Sequence, residues 1–223
     1  MIKFEKVEVW GWKHAIRGMR NPLNSWEKSD SGCNPLLEDI FEIGENDLGL
    51  MTRLTRAGAP HRKFLRQIFV SVDITAPLYW WKEFDTYKVG TTANSCSTMH
   101  TLHKKKFEVE DFSRDYLFDR VVTEDGVLEL DTMAVLDELI MNLNGLRLMY
   151  LKTKDTVYWK AMIQLLPSSY NQKRTVTMTY ENLLNMLEYR RGHKLNEWRK
   201  FCEWIDTLPY SGLLHEGLDH EPG

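Results

Sequence analysis

Ile68, Val70, Val72 and Ile74 occupy every second position, which makes residues 66–75 (RQIFVSVDIT) the clearest strand in the chain. Gln67, Ser71 and Asp73 alternate with them and face the other way. A looser alternation predicts a strand over residues 2–12 (IKFEKVEVWGW). Thr175, Thr177 and Thr179 alternate with Val176 and Met178, so residues 173–179 form another strand, with a threonine face open to water or to a ligand. Helical spacing fills the intervals. Leu48, Met51 and Leu54 predict a helix over 46–57, capped by Asn46 or Asp47 and closed by Gly58 and Pro60. Pro77 opens a helix carrying Leu78, Trp80, Trp81 and Phe84.

Residues 107–122 and 131–150 also read as helices, joined by a turn at Asp125-Gly126. In the second, Asp131 or Thr132 caps, and Met133, Leu136, Leu139, Ile140, Leu143, Leu146 and Met149 make a broad apolar face. Further helices are expected over 155–165, over 181–191 with Leu183, Leu184 and Leu187 inward and Gly192 as the stop, and over 194–207 with Leu195, Trp198, Cys202 and Ile205 on one stripe. Residues 13–35 carry Gly18, Asn21-Pro22, Ser29-Asp30-Ser31-Gly32 and Asn34-Pro35, and read as a long irregular segment in which Arg17, Arg20 and Trp26 could meet a ligand or another subunit. The strands are few and the helices many. The class is α+β: one domain over 1–208, then a flexible tail over 209–223.

Composition narrows the function classes. The chain has 223 residues, 43% hydrophobic, with 8 Trp and 9 Tyr, which suits a globular protein with a sizeable core. Its 29 basic and 32 acidic groups leave a charge of −3, so no basic excess points to a nucleic-acid polymer or a membrane surface as partner. Cys33, Cys96 and Cys202 are widely spaced and show neither a CxxC pair nor zinc spacing. The opening MIKFEKVEVW lacks a signal-peptide run, and no stretch of about 18 apolar residues appears. The expectation is a reduced, cytoplasmic protein.

The candidate chemistry lies in Ala76–His103 (APLYWWKEFDTYKVGTTANSCSTMHTLH). Packing aromatics there give way to small polar residues from Gly90 to Thr98, a pattern that suits a pocket wall followed by its floor. Cys96 and Ser97 are neighbouring nucleophile types, but a serine needs an activating base. His100 and His103 have no carboxylate or thiol partner at ligand spacing, so no metal is expected. Arg190 and Arg191 end a helix, where they complement its dipole or clamp a phosphate through a planar fork of donors. His193 and Glu197 are four apart and could pair on a helix face.

The order of these elements resembles the flavin-dependent thymidylate synthases. It runs from an alternating strand through Ala-Pro, an aromatic helix, Asn-x-x-Ser, helices, Leu166-Pro167 and a threonine strand to a Leu-rich helix ending in Arg and His. Thr177 to His193 (TMTYENLLNMLEYRRGH) carries the best match, with Leu183, Asn185, Leu187, Arg190, His193 and Glu197 in register, allowing one deletion before His193. Asn94 and Ser97 fit the family's Asn-Glu-x-Ser-x-Arg element. The departures are specific. Thr86-Tyr87-Lys88 stands where the family has Arg-His-Arg, Ser95 for its Glu and Met99 for its Arg. Thr179 and Glu181 replace an Asn and an Arg at the start of the late helix, and Met162 or Ile163 an Arg before Leu-Pro. Each lost Arg removes charged hydrogen bonds worth about 1.5–3 kcal/mol.

The resemblance implies reductive methylation at C5 of a uracil nucleotide, with FAD as cofactor, NADPH and methylenetetrahydrofolate as co-substrates, and a homotetramer whose sites draw on several subunits. It implies catalytic roles for Ser97 and Arg190. Asn94, Ser95, Cys96, Ser97, Glu83 and Arg190 would bind the pyrimidine nucleotide. Gln67, Tyr87, Lys88, Thr179, Asn185 and His193 would hold the flavin. The alternatives are an altered or inactive ligand-binding protein on the same fold, and an unrelated α+β domain.

Overall fold

The computed structural model describes residues 2–34, 40–124, 126 and 129–218. In chain order the elements begin with β1 (Lys3–Trp10), α1 (Trp12–Arg20), β2 (Gly32–Asn34), β3 (Ile40–Glu42) and α2 (Glu45–Arg56). Next come β4 (Phe69–Pro77), α3 (Leu78–Phe84), β5 (Thr92–Ser95), α4 (Thr98–Thr101), β6 (Val121–Val122) and β7 (Glu129–Leu130). The chain continues through α5 (Thr132–Thr153), α6 (Thr156–Leu165), β8 (Asn171–Thr179), α7 (Tyr180–Arg190), α8 (Asn196–Asp206) and α9 (Gly212–His215). The class is α+β, with helices set against antiparallel strands. The main sheet has the order β1-β4-β8-β5, and β2-β3 and β6-β7 form two small antiparallel pairs.

Two compact units are distinguished: residues 1–3, 74–86 and 94–174, and residues 4–73, 87–93 and 175–223. The first is built on Leu102, Phe107, Phe112, Leu136, Leu143 and Met162, which lie together in its core. Trp80, Trp81 and Phe84 of α3 are also buried there, Trp80 and Trp81 packing edge-on at 4.9 Å. In the second, alternation buries Val70 and Val72 of β4 and Val176 and Met178 of β8. The inward faces of α7 (Leu183, Leu184, Leu187) and α8 (Trp198, Cys202, Ile205) are buried as their periodicity predicts.

The structure departs from the sequence reading at several elements. Residues 13–35 are not an irregular segment. They hold most of α1, short 3-10 turns at Asn21–Leu23 and Trp26–Lys28, and β2. Trp12, Ala15, Ile16 and Met19 give α1 a buried stripe at helical spacing. Gly11 starts the helix at φ 102°, where a Cβ would lie 2.0 Å from the Gln67 carbonyl oxygen, so glycine here is a helix start rather than a breaker. Second, residues 107–122 are not helical. They contain one 3-10 turn, Val109–Asp111, and then β6. Phe107 and Phe112 are both buried at a spacing of five, which no single helix face provides. Asp125 of the expected turn lies outside the described residues, and Gly126 has φ 69°.

Third, α2 is not capped by Asn46 or Asp47. Its N-cap is Gly44, and the orphan amides of Asn46 and Asp47 donate instead to the Asp30 carboxylate at 2.9 and 3.1 Å. The strand expected from residue 66 also starts later, because Lys63–Gln67 forms a 3-10 turn before β4. Fourth, the segment after Pro209 holds α9, with Leu213 and Leu214 buried. Residues 219–223 lie outside the described residues.

Candidate functional site

The C-terminal end of α7 presents a guanidinium among aromatic rings in the second unit. Arg190 donates from Nε to the Tyr87 hydroxyl at 2.8 Å. Its guanidinium lies 4.6 Å from the Trp198 ring centroid and 5.5 Å from that of Tyr87. The two rings meet edge-on at 6.0 Å. A cation held between aromatic faces is attracted by their quadrupoles, and its planar fork is pre-oriented. His193 packs edge-on against the same Trp198 at 6.3 Å. The His193 Nδ1 accepts from the Leu195 N–H at 3.1 Å, so the neutral ring carries its proton on Nε2 as a donor. Trp198 was legible only as a core residue of an apolar stripe. Its second role as a platform for Arg190 and His193 has no signal in its spacing. His193 itself precedes α8, and Glu197 is buried in that helix's first turn.

The N-terminal end of α7 holds the segment that leads on from Tyr87. Thr179 is the N-cap and Asn182 stands at N3, and the two exchange hydrogen bonds in a capping box. The Asn182 amide nitrogen also donates to the Val89 carbonyl at 2.7 Å. Gly90 follows at φ 74°, where a Cβ would lie 2.9 Å from the Asn182 Oδ1. The segment 87–90 is thus tied to α7 at both ends, by Tyr87 to Arg190 and by Val89 to Asn182. Asn182 was missed, although a threonine three residues before it is a capping-box spacing. Asn185 is half-buried on α7, and Lys88 is exposed.

The polar run of the first unit is organised differently from the expected pocket floor. Asn94 and Ser95 lie exposed on β5, and Cys96 is exposed just beyond it. Ser97 is the N-cap of α4, its hydroxyl accepting from the His100 N–H at 3.1 Å. That bond commits a lone pair of the Ser97 hydroxyl to helix capping. Cys96 pairs through its backbone: its N–H donates to the Lys173 carbonyl at 2.9 Å, and its carbonyl accepts from Gln172 Nε2 at 2.9 Å. Gln172 Oε1 accepts from Arg174 Nε at 2.9 Å, and Arg174 pairs with Asp85 at 2.7 Å and lies 4.2 Å over the Trp81 ring. Trp81 in turn donates to the Gln172 carbonyl at 2.9 Å. Gln172, Arg174 and Asp85 are the connected polar residues that spacing did not single out.

Glu83 is half-buried on α3, and its carbonyl accepts from the Thr86 hydroxyl at 2.7 Å. Gln67 lies against Gly18 of α1, where a Cβ would come 2.5 Å from its Oε1. Glu181, which the sequence resemblance sets opposite an arginine, is buried. It pairs with Arg62 at 3.4 Å, and Arg62 also donates to the Gly217 carbonyl at 3.2 Å. Of the α1 arginines, Arg20 is buried against Asp47 and Arg17 is exposed. Thr175 of the threonine face donates to the Asp73 carboxylate at 2.6 Å, across from β4.

No protein-family model and no curated protein sequence matches the chain. Solved structures do. Thymidylate Synthase X (ThyX) from Helicobacter pylori, in a structure with FAD and dUMP, aligns over 99% of this chain and 100% of its own, with a TM-score of 0.68 and 19% identity. A second structure of the flavin dependent thymidylate synthase ThyX from that organism, complexed with FAD and dUMP, covers 96% and 100%, with a TM-score of 0.65 and 20% identity. The UMP/dUMP methylase PolB from Streptomyces cacaoi, bound with 5-Br UMP, covers 97% and 93% at a TM-score of 0.61 and 12% identity. The likeness runs the length of the chain, so the elements described above make up the fold of the flavin-dependent thymidylate synthase ThyX.

Proposed function

We propose that this chain is a flavin-dependent enzyme of pyrimidine nucleotides. The observation that carries the reading is the held guanidinium of Arg190, set between Tyr87 and Trp198 at the end of α7. A positively charged fork fixed in one orientation is the group that a uracil carbonyl or a nucleotide phosphate needs. The solved structures of the same fold contain FAD with dUMP, or 5-Br UMP, which supports the same class of ligand here.

The polar groups around α7 suit a flavin in part. An isoalloxazine offers carbonyl and ring-nitrogen acceptors, and its pyrophosphate offers anionic oxygens. The His193 Nε2 proton, the Asn185 amide and the exposed Lys88 ammonium are donors of the matching kind. Thr179 commits its hydroxyl to the capping box, and Gln67 packs on α1, so neither adds to that set. When bound, the flavin would supply hydride taken from NADPH, with methylenetetrahydrofolate supplying carbon for C5 of the uracil. In this reading Arg190 holds the base or phosphate, and Asn94, Ser95, Cys96, Ser97 and Glu83 bind the nucleotide as the sequence resemblance implies, in sites that draw on several subunits. The functional particle is a cytoplasmic homotetramer.

A second reading is a nucleotide-binding protein on this fold without the chemistry. The Ser97 hydroxyl engaged in an N-cap, and Glu181 at an arginine position paired with Arg62, favour it. Visible absorption of the purified protein separates the two. Flavin that copurifies or binds on titration supports the enzyme. Nucleotide binding with no flavin uptake overturns it in favour of the second reading.

A further inference from the structure

A cavity of about 520 Å³ opens in the second unit between α1 and the β2-β3 pair, bordered by Lys13, Arg17, Trp26, Cys33 and Phe41. Its chemistry is distinctive. Lys13 and Arg17 are four residues apart on α1, so both cations project from one helix face. Among the described residues, those that border the cavity include no carboxylate. The nearby acid, Asp47, is fully buried and is satisfied by Arg20 at 2.6 Å, by both Ser29 and Ser31 hydroxyls and by two backbone amides. Its charge is therefore neutralised inside the fold and does not offset Lys13 and Arg17.

Two aromatic surfaces complete the wall. Trp26 is half exposed (51%) yet fixed, because its indole N–H donates to Asn21 Oδ1 at 2.8 Å. Phe41 stands on the opposite strand pair, with the Lys13 ammonium 5.5 Å from its ring centroid. An exposed indole locked by a hydrogen bond is a preformed stacking platform, and stacking tolerates any flat heteroaromatic ring.

We propose that this cavity binds a nucleoside phosphate, with the base against Trp26 and Phe41 and the phosphate against Lys13 and Arg17. The volume is of the size class that small-ligand sites occupy. None of these five residues belongs to the Arg190 group or to the Gly90–Thr98 run, so this is a second site, independent of the proposed reaction.

The cysteines provide the test. Cys33 borders the cavity and is exposed, while Cys96 is exposed elsewhere and serves as an internal reference. Alkylation of the intact protein by iodoacetamide is followed at each cysteine by peptide mass spectrometry, with and without ADP. Saturating ADP is expected to slow labelling of Cys33 about tenfold and leave Cys96 unchanged. Arg17→Glu, a change at an exposed position, should weaken that protection by about tenfold or more in ADP concentration, as loss of one charge-assisted contact implies. Arg190→Ala should leave it intact. An ADP-insensitive Cys33, or equal protection in Arg17→Glu, overturns the proposal. Neither result touches the flavin reading, which is judged by absorbance and by Arg190.

Discussion

The Nε of Arg190 donates to the hydroxyl of Tyr87 at 2.8 Å, joining the last turn of α7 to the Thr86-Tyr87-Lys88 segment, which the sequence resemblance sets opposite an Arg-His-Arg. The bond changes the meaning of both positions. Tyr87 has no charge to offer a flavin, but it orients the one guanidinium that the α7 pattern keeps in register with the family. Trp198 backs both.

This geometry orders the effects of substitution. Arg190→Ala removes the cation and should abolish binding of dUMP while leaving the fold intact, because the guanidinium is only partly buried. Tyr87→Phe keeps the ring against Trp198 and deletes a single acceptor. It should weaken dUMP binding by no more than about tenfold, in keeping with a hydrogen bond worth about 1 kcal/mol. Calorimetric titration of both variants checks the ranking. Unchanged affinity in Arg190→Ala removes Arg190 from the site.

Gly90 and Asn182 make a second prediction about the same segment. At φ 74°, with a Cβ site 2.9 Å from the Asn182 Oδ1, Gly90→Ala meets both backbone strain and a close contact. A loss of about 1–3 kcal/mol is expected. Asn182→Ala should cost about 1–2 kcal/mol, since it removes half of the capping box as well as the bond to Val89. Both losses appear in urea unfolding at pH 7. If Tyr87 and Val89 are held as one piece, both variants should also lower dUMP affinity.

Glu181 bears on whether family chemistry can be restored by substitution. Glu181→Arg restores the residue type that the sequence resemblance implies, yet here it would set another cation beside buried Arg62 and beside Arg66. Breaking a buried pair costs about 3–5 kcal/mol, and replacing the acid by a like charge should cost at least that. The variant is expected to unfold at markedly lower urea and to gain no nucleotide affinity. A stable Glu181→Arg protein with tighter binding would show that Arg62 does not control this position.

What the sequence made legible follows from the range of the interactions. β8, α5, α7 and α8 rest on periodicities visible within ten residues or so and fall within a few residues of where the pattern puts them, and β4 does so except at its start, which the Lys63–Gln67 turn displaces. Asp47 read as an N-cap because it opens a helix, whereas its true partner, Arg20, is 27 residues away. The capping role went to Asp30, which no local rule connects to α2. Gly18 reads as a turn signal but lies within α1 against the Gln67 side chain, and Gly11, inside the expected first strand, opens α1 where the Gln67 carbonyl oxygen leaves no room for a Cβ. In the site, Ser97 was visible as a polar residue, but its capping of α4 was not, because that helix is too short to show a period. The platform role of Trp198 depends on Tyr87, 111 positions earlier, which contacts it only once the chain is folded.

Asp47 gives the clearest dependence on pH. Burial alone would raise its pKa. The hydrogen bonds from Ser31, Ser29 and Arg20, with the Arg20 charge, outweigh that and hold it below the ordinary value of 3.8. A carboxyl whose folded pKa is depressed binds fewer protons folded than unfolded, so stability rises with pH through that window. Its contribution is complete above the unfolded pKa of about 3.9 and is lost as pH falls through the folded value. Urea unfolding of the wild-type protein should therefore weaken between pH 5 and pH 3. Asp47→Asn should lose about 3–5 kcal/mol at pH 7, because it leaves Arg20 buried without its counter-charge. The same variant should show a flatter slope below pH 5, since the group that titrates is gone. Equal slopes in the two proteins would mean that other carboxylates govern acid unfolding. A small loss at pH 7 would mean that Arg20 finds water or the Ser25 and Lys28 carbonyls, both already within 3.1 Å, to be sufficient partners.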